Sequence, residues 1–421
     1  MTSAHKDRMS KAGRLAVIGA GPLGIECALY ASRLGHDVQV YEAGEIAQHL
    51  GEWGHIRMFS PWSMNVSALG KSVLASGGTL GSLFRSDRCP TGNELREQYL
   101  LPLADSSPLN GRIHTQSRVL GISRDHLLKG DQLGSTARSG KPFRLLIAPR
   151  GGKEKVVKAD RVIDISGVFS QHNWLGSGGL PAPGERALAS RIDYGLPDIS
   201  AVRSDRFAGK RTLVIGSGLS AVTSVAALAD LARRVRGTSV LWLVRSEDRN
   251  PYEPIPGDPL IERAKLMQQA SGLMNGATSE VECRRSWVVE EAREAGGGVE
   301  ITLSRRDEVV REQVDRVIAN VGYRPDRSLY EELQVHECYA TQGPMRLAAA
   351  LLGEGSADCL GQTSHGADSL RNPEPDFFIL GAKSYGRNPH FLLTVGHAQI
   401  RDAFRAIESD ENLDLYAAEA A

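Results

Sequence analysis

Leu15-Ala-Val-Ile18 runs straight into Gly19-Ala-Gly21-Pro-Leu-Gly24, and the chain's architecture follows from that junction. The four apolar residues read as a short buried parallel strand, and a helix-like stretch continues to about Leu34. A second strand, Asp37-Val-Gln-Val-Tyr41, ends in Glu42. Each glycine has its own reason to be there. Gly19 permits the tight turn, Gly21 lets backbone approach a pyrophosphate, and Gly24 lets helix and strand pack closely. The helix N-terminus then offers unpaired N–H groups and a positive dipole end to phosphates. Glu42 stands where an acidic side chain accepts hydrogen bonds from ribose hydroxyls. The glycines alone would also suit a turn in an unrelated α/β domain. With the strand, the helix and the acid, they point to a dinucleotide site.

The same order recurs. Arg211-Thr-Leu-Val-Ile215 is a strand, Gly216-Ser-Gly218-Leu-Ser220-Ala221 a turn of the permitted GxGxxA form, and 222–235 a helix. Ser239-Val-Leu-Trp-Leu-Val244 is the next strand, and it closes on Arg245-Ser246 rather than on an acid. A guanidinium there pairs with a 2′-phosphate through two hydrogen bonds, which favours NADPH over NADH. Glu247 and Asp248 follow closely and can reach a ribose instead, and an exposed surface arginine is the plain alternative.

Two such units predict an α/β fold with two Rossmann-like dinucleotide-binding domains, the second inserted into the first. The stretch 181–209, rich in Pro, Gly and Ser, reads as a linker, and 317–326 as the return crossing. The expected boundaries are 1–200 for the first part of the outer domain, 205–318 for the inserted domain and 319–421 for the return. A strand within 372–379 and a helix over 396–407 would complete the outer domain.

At 421 residues, 41% hydrophobic and 24% charged, the chain can bury a sizeable core. Lys plus Arg and Asp plus Glu both number 50, so there is no electrostatic case for nucleic acid or an anionic membrane. No apolar run reaches membrane-spanning length, and the polar stretch 1–14 does not read as a signal peptide. Cys27, Cys89, Cys283, Cys338 and Cys359 are scattered, with no C-x-x-C. That fits reduced thiols in a cytoplasm and argues against a disulfide framework or a dithiol of adjacent cysteines. Cys89 reads as an inert thiol sooner than a redox one. The histidines show no metal-ligand spacing, so no metal is expected.

Further motifs carry a resemblance. Asp164-Ile-Ser-Gly167, Phe207-Ala-Gly-Lys210, Asn320-Val-Gly-Tyr323-Arg-Pro325 and Arg118-Val119, with the two glycine clusters, resemble the two-dinucleotide-domain flavoproteins. These include flavin-containing monooxygenases, N-hydroxylating monooxygenases and thioredoxin-reductase-like enzymes. The resemblance implies FAD on the first cluster and NAD(P)H, here NADPH, on the second. Gly19, Gly21, Gly24, Glu42 and the Val119 backbone would then hold FAD, and Gly216, Gly218, Ser220, Arg245 and Ser246 the nicotinamide dinucleotide. The sequence departs from thioredoxin reductases at Ile379-Leu-Gly381-Ala382, which keeps Gly381 as a cofactor contact but lacks the following acid. It departs from the flavin-containing monooxygenases in having no histidine over 184–194.

Two segments are candidates for the chemistry. In 53–65, Trp62 can sit beside a flavin ring, and Asn65, Ser60 or His55 can hydrogen-bond its N5 or C4a edge; a loop of core aromatics is the alternative. In 383–390, Lys383 and Arg387 can hold an anionic substrate; a solvated basic loop is the alternative. The helix that follows would, by resemblance, aim its N-terminus at the flavin. The expected activity is NADPH-dependent oxygenation of a small substrate by O₂, with an amine or amino acid as the suggested class. A reductase for a quinone, metal or protein acceptor and a redox-sensing flavoprotein are the rivals. The sequence carries no marker of oligomeric state.

Overall fold

The computed structural model describes residues 13–76, 84, 86–200, 204–245, 252, 255–353 and 359–420. They form two compact units, one of Met1–Gly54, Ser60–Gln171 and Arg324–Ala421, the other of His55–Phe59 and His172–Tyr323. The first crossing therefore lies at 171/172, not near 200, while the return at 323/324 falls inside the expected stretch 317–326, a few residues beyond the expected boundary at 318. The reason is pairing between the two crossing segments. Asn173 N–H donates to Gly322 O at 2.9 Å, Arg324 N–H donates to Gln171 O at 2.9 Å, and His172 and Tyr323 form an antiparallel bridge. The stretch 181–209 is not a linker. It belongs to the second unit and contributes a strand to it.

In the first unit, β1 (Arg14–Ile18), β2 (Asp37–Tyr41), β3 (Ile113–His114), β7 (Arg161–Asp164) and β16 (Phe377–Ile379) form a parallel sheet in the order β16-β7-β1-β2-β3. The Val, Ile and Leu side chains of β1 are buried on both faces, as a covered parallel strand requires. One face carries an antiparallel sheet of β4 (Ser117–Arg124), β5 (Phe143–Pro149) and β6 (Lys155–Ala159). Ala16, Ile18, Val119, Phe143, Ile147, Val162 and Phe377 share the resulting core. Helix α1 (Pro22–Arg33) follows β1 and packs against α4 (Leu393–Glu408). A Cβ on Gly396 would come 2.3 Å from Leu23 Cδ1, so the two helices touch there through a missing side chain. The strand expected within 372–379 is only Phe377–Ile379, because Pro373 and Pro375 have no N–H to give a ladder.

The second unit repeats the plan. Strands β8 (Ile192–Asp193), β9 (Arg211–Ile215), β10 (Ser239–Val244), β11 (Val281–Arg285) and β15 (Arg316–Ala319) form a parallel sheet in the order β11-β10-β9-β15-β8. Helices α2 (Leu219–Ala232) and α3 (Ile261–Met274) share a core with β9 and β10 through Val214, Val225, Leu228, Trp242 and Ala270. An antiparallel sheet of β12 (Val288–Ala295), β13 (Gly298–Arg305) and β14 (Glu308–Val314) shares a second core with Leu213, Leu241 and Val317. The helix expected over 222–235 starts earlier, directly at the glycine turn.

One polar feature inside the first unit holds a loop in place. Glu374 sits between Arg124 at 2.7 Å and Arg138 at 2.9 Å, and all three side chains are fully buried. It also accepts the Gln334 N–H at 2.9 Å, while Arg138 donates to the carbonyls of Leu128 and Asp131. Removing the shared carboxylate strands two buried guanidinium groups. Glu374→Ala should therefore destabilise the protein by about 3–5 kcal/mol. Asp160→Ala, which breaks the exposed Arg14–Asp160 pair, should cost about 0–1 kcal/mol. Denaturant midpoints of the two variants decide this, and similar shifts would refute the assignment.

Candidate functional site

The first glycine turn is shaped by close approach. Gly19 has φ +103°, and a Cβ there would lie 2.9 Å from Ser166 Cα. A Cβ on Gly24 would lie 1.9 Å from Gly19 O, which no side chain permits. Gly21 differs, since no described residue lies within 4 Å of its Cβ position. Helix α1 begins at Pro22 with Gly21 as its N-cap and no side-chain cap. Ser, Thr, Asp or Asn ordinarily fills that place, so the first-turn N–H groups lack the usual internal acceptor. An uncapped helix start facing open space at a glycine is a cradle for an anion of pyrophosphate size.

Glu42 both braces this turn and faces solvent. Its Oε2 accepts the Ala20 N–H at 2.7 Å and its Oε1 the Gly44 N–H at 2.8 Å, and the side chain is half-buried. Each oxygen keeps a second lone-pair site for a hydroxyl donor. The start of β4 is laced to this corner, with Ser117 N–H on Glu42 O at 2.7 Å and Gln116 N–H on Gly44 O at 3.0 Å. Val119 follows with a buried side chain, just before a bulge in the β4–β5 ladder.

The second turn has the same geometry. Gly216 has φ +139°, and a Cβ there would lie 2.2 Å from Asn320 O, while at Gly218 no described residue comes within 4 Å of the Cβ position. Helix α2 starts at Leu219 with Gly218 as N-cap and no side-chain cap, and Ser220 is exposed in its first turn. Two residues that the sequence reading missed secure this loop. Trp242 Nε1–H donates to Gly216 O at 2.9 Å, and Tyr252 Oη–H donates to Ser217 O at 2.9 Å. Their rings stack at 5.5 Å. The signal was present as an aromatic inside β10, but its direction was not.

Arg245 follows β10, is exposed, and has no ion-pair partner among the described residues. Ser246, Glu247 and Asp248 lie outside the described residues. The neighbouring strand adds a second cation: Arg285 pairs in register with Val244, and Ser286 N–H donates to Val244 O at 2.9 Å. Among the described residues, the buried Ser286 hydroxyl has no hydrogen-bond partner. Sequence spacing could not place Arg285 opposite Val244, at the end of the strand that Arg245 follows, because adjacent parallel strands are joined by a long crossover.

The segment 53–65 divides. His55 is exposed and belongs to the second unit. Trp62 is fully buried against Phe84, with ring centroids 5.2 Å apart, and presents no open face to a ring ligand. Asn65 is buried; its Nδ2 donates to Ser60 O at 2.9 Å and Pro61 O at 2.8 Å, and its Oδ1 accepts the Ser60 hydroxyl at 3.0 Å. Both amide hydrogens and the Ser60 hydrogen are thus used inside the turn. The expectation that Asn65 or Ser60 hydrogen-bonds a flavin edge is narrowed accordingly: their side-chain hydrogens shape the turn, which leaves only their side-chain oxygens, as acceptors, for that role.

Lys383 needs a like correction. It is fully buried, with Nζ 2.6 Å from Asp164 Oδ2 and 3.0 Å from Ser166 Oγ, over the Tyr330 ring at 5.3 Å. It cannot hold an exposed anion. Gly381 has φ +71°, and its N–H is taken by Gln399 Oε1 at 2.8 Å. Arg387 is exposed and donates to Gln342 Oε1 at 2.9 Å.

Cys27, Cys89, Cys283 and Cys338 are not in disulfides. Burial, with nearby Glu26, pushes the Cys27 thiol far up, and burial pushes Cys283 up to about 11. Among the described residues no group of three or more His, Cys, Asp or Glu is placed to hold a metal ion. No described helix is long and apolar enough to cross a membrane.

The sequence profile of the pyridine nucleotide-disulphide oxidoreductases matches residues 14–49, the β1–α1–β2 unit of the first turn. No curated protein sequence matches the chain. Solved structures do. A bacillithiol disulfide reductase from Bacillus cereus is 18% identical, covers 95% of this chain and 99% of its own, and superposes with a TM-score of 0.68. An ornithine N-hydroxylase from Kutzneria is 15% identical over 94% of this chain and 99% of its own, with a TM-score of 0.63. A thioredoxin reductase from Lactococcus lactis is 17% identical over 94% and 97%, with a TM-score of 0.53. Together with two glycine turns of one geometry, each opening an uncapped helix from a parallel sheet, these likenesses give the chain the fold of the two-dinucleotide-binding-domain flavoproteins.

Proposed function

We propose that the protein is a FAD-dependent oxidoreductase that draws electrons from NADPH and uses O₂ to oxygenate a small substrate. The observation that carries this reading is the repeated cradle: Gly21 and Gly218, each with open space at its Cβ position, each capping a helix that has no side-chain cap. Gly19, Gly21, Gly24 and Glu42 would hold the pyrophosphate and a ribose of FAD, beside the strand of Val119. Gly216, Gly218 and Ser220 would hold the pyrophosphate of NADPH, and Arg245 with Arg285 its 2′-phosphate. The chemistry a bound flavin supplies is hydride acceptance and O₂ activation. The chain's own part is to place two nucleotides and to fix the turns that receive them.

Similar folds occur in both hydroxylases and disulfide reductases, so the oxygenase reading needs support of its own. Disulfide reduction by a dithiol needs a thiolate beside the flavin. Cys27, on the helix that follows the first glycine turn, is fully buried, and burial with nearby Glu26 pushes its thiol far up, away from the thiolate. That favours oxygenation. The rival reading, electron transfer to a disulfide or another acceptor, is favoured by the family profile matched at residues 14–49.

Three outcomes test the reading. The purified protein should be yellow, and Gly21→Leu should fold yet retain little FAD, because the new side chain fills the pyrophosphate's place; full flavin retention would show that the site was misassigned. Arg245→Ala should raise the KM for NADPH by roughly one to two orders of magnitude, from the loss of a charge-assisted pair, and leave NADH use almost unchanged. Equal losses with both cofactors would make Arg245 a support of the fold, and a wild type that prefers NADH would refute the NADPH assignment. In stopped flow, NADPH should reduce the flavin, and mixing with O₂ should give a transient absorbance before reoxidation. Direct reoxidation without a transient would favour the reductase, and no reduction by either nicotinamide would exclude both.

A further inference from the structure

Five parallel strands of the second unit end along one edge, in the order β11-β10-β9-β15-β8. The glycine turn Gly216–Gly218 follows the central strand β9. Arg245 and Arg285 stand at the ends of β10 and β11, to one side of it. Asn320 and Tyr194 follow β15 and β8, to the other. A dinucleotide with its pyrophosphate on the turn after β9 must lay one nucleoside to each side. The basic side suits a 2′-phosphoadenosine. The other side then receives the nicotinamide riboside.

That side carries three half-exposed aromatic rings. His172 stacks on Tyr194, with centroids 3.6 Å apart and planes at 16°, and Trp174 meets His172 edge-on at 4.8 Å and 81°. The platform is fixed from below. Tyr194 Oη–H donates to the fully buried Glu185 at 2.7 Å, and Glu185 also accepts the Leu175 N–H at 3.0 Å. It is tied to the sheet edge as well, since Tyr323 Oη–H donates to Tyr194 O at 3.0 Å and Asn320 Nδ2–H to Gly195 O at 2.8 Å. The His172 Nδ1–H donates to Asn173 O at 2.8 Å, so in the neutral ring Nε2 is an acceptor.

We infer that His172, Trp174 and Tyr194 form the nicotinamide-side wall of this unit's dinucleotide site, with His172 Nε2 accepting from the carboxamide. The inference rests on the reading of the second unit as the NADPH unit. A flat, rigid aromatic stack beside a sheet edge suits a flat heteroaromatic ring, and stacking of this kind is worth a few-fold to about tenfold in affinity. His172 and its neighbours are positioning residues here, with no part in hydride chemistry.

The test compares two ligands on the flavin-loaded, full-length protein by calorimetry: NADP⁺, and 2′,5′-ADP, which lacks the nicotinamide half. His172→Ala should weaken NADP⁺ about three- to tenfold and leave 2′,5′-ADP unchanged. His172→Phe, which keeps a stacking ring but loses the acceptor, should recover part of the loss. Arg245→Ala should weaken both ligands together. If His172→Ala leaves NADP⁺ binding intact, or weakens both ligands equally, the stack only braces the fold and the inference fails while the NADPH reading stands. If wild-type protein binds neither ligand, the NADPH reading itself fails and takes the inference with it.

Discussion

A Cβ on residue 24 would stand 1.9 Å from the Gly19 carbonyl oxygen, and everything at the first turn depends on that space being empty. With glycine there, α1 can start flush against the end of β1, so its uncapped first turn faces out along the sheet edge. A longer residue would push the helix away and close the cradle beside Gly21. The second turn obeys the same constraint less tightly. Ala221 holds the third position, and its Cβ would meet a Cβ on Gly216 at 3.3 Å, so a methyl group is accommodated where the first turn admits none. Gly216 carries the strict demand instead, with the Asn320 carbonyl 2.2 Å from any Cβ.

Around these two constraints the chain places buried polar groups whose task is to fix backbone. Glu42 holds two N–H groups of the first corner, while Trp242 and Tyr252 hold two carbonyls of the second. The solutions differ chemically because the loose groups differ: acceptor oxygens for free N–H groups in one unit, ring donors for free carbonyls in the other. In both, the brace reaches the turn from the strand or segment after the helix, so each βαβ unit supplies its own stiffening.

Much of this was legible in the sequence. Strands Asp37–Tyr41, Arg211–Ile215 and Ser239–Val244 lie where their apolar runs place them, because a parallel strand buried on both faces is a local pattern bounded by glycine. The glycine roles were legible for the same reason. The return crossing was legible within 317–326, but the first crossing was not, since it depends on His172 finding Tyr323 across the whole inserted unit. Side-chain direction was not legible either. A run such as Lys383-Ser-Tyr385-Gly-Arg387 shows a density of polar groups, yet it cannot show that Lys383 turns inward and Arg387 outward. Asn65 shows the same limit, because an amide beside aromatics fits a ligand edge and a turn brace equally well until its hydrogens are traced.

The inward turn of Lys383 is the more consequential case. A buried ion pair is a weak stabiliser, because desolvating both charges offsets most of their attraction, and an apolar pair of equal volume would often do as well. What an apolar pair cannot do is hold directions. Asp164 takes Lys383 on one oxygen and both the N–H and hydroxyl of Ser166 on the other, so the ends of β7 and β16 are locked to one another and to the residue whose Cα crowds Gly19. From the other side, Gln399 of α4 takes the Gly381 N–H and donates to the Ser384 hydroxyl. The turn 381–385 is thereby fixed from strand and helix at once. Lys383 shapes the first cradle by being unavailable to any ligand in it.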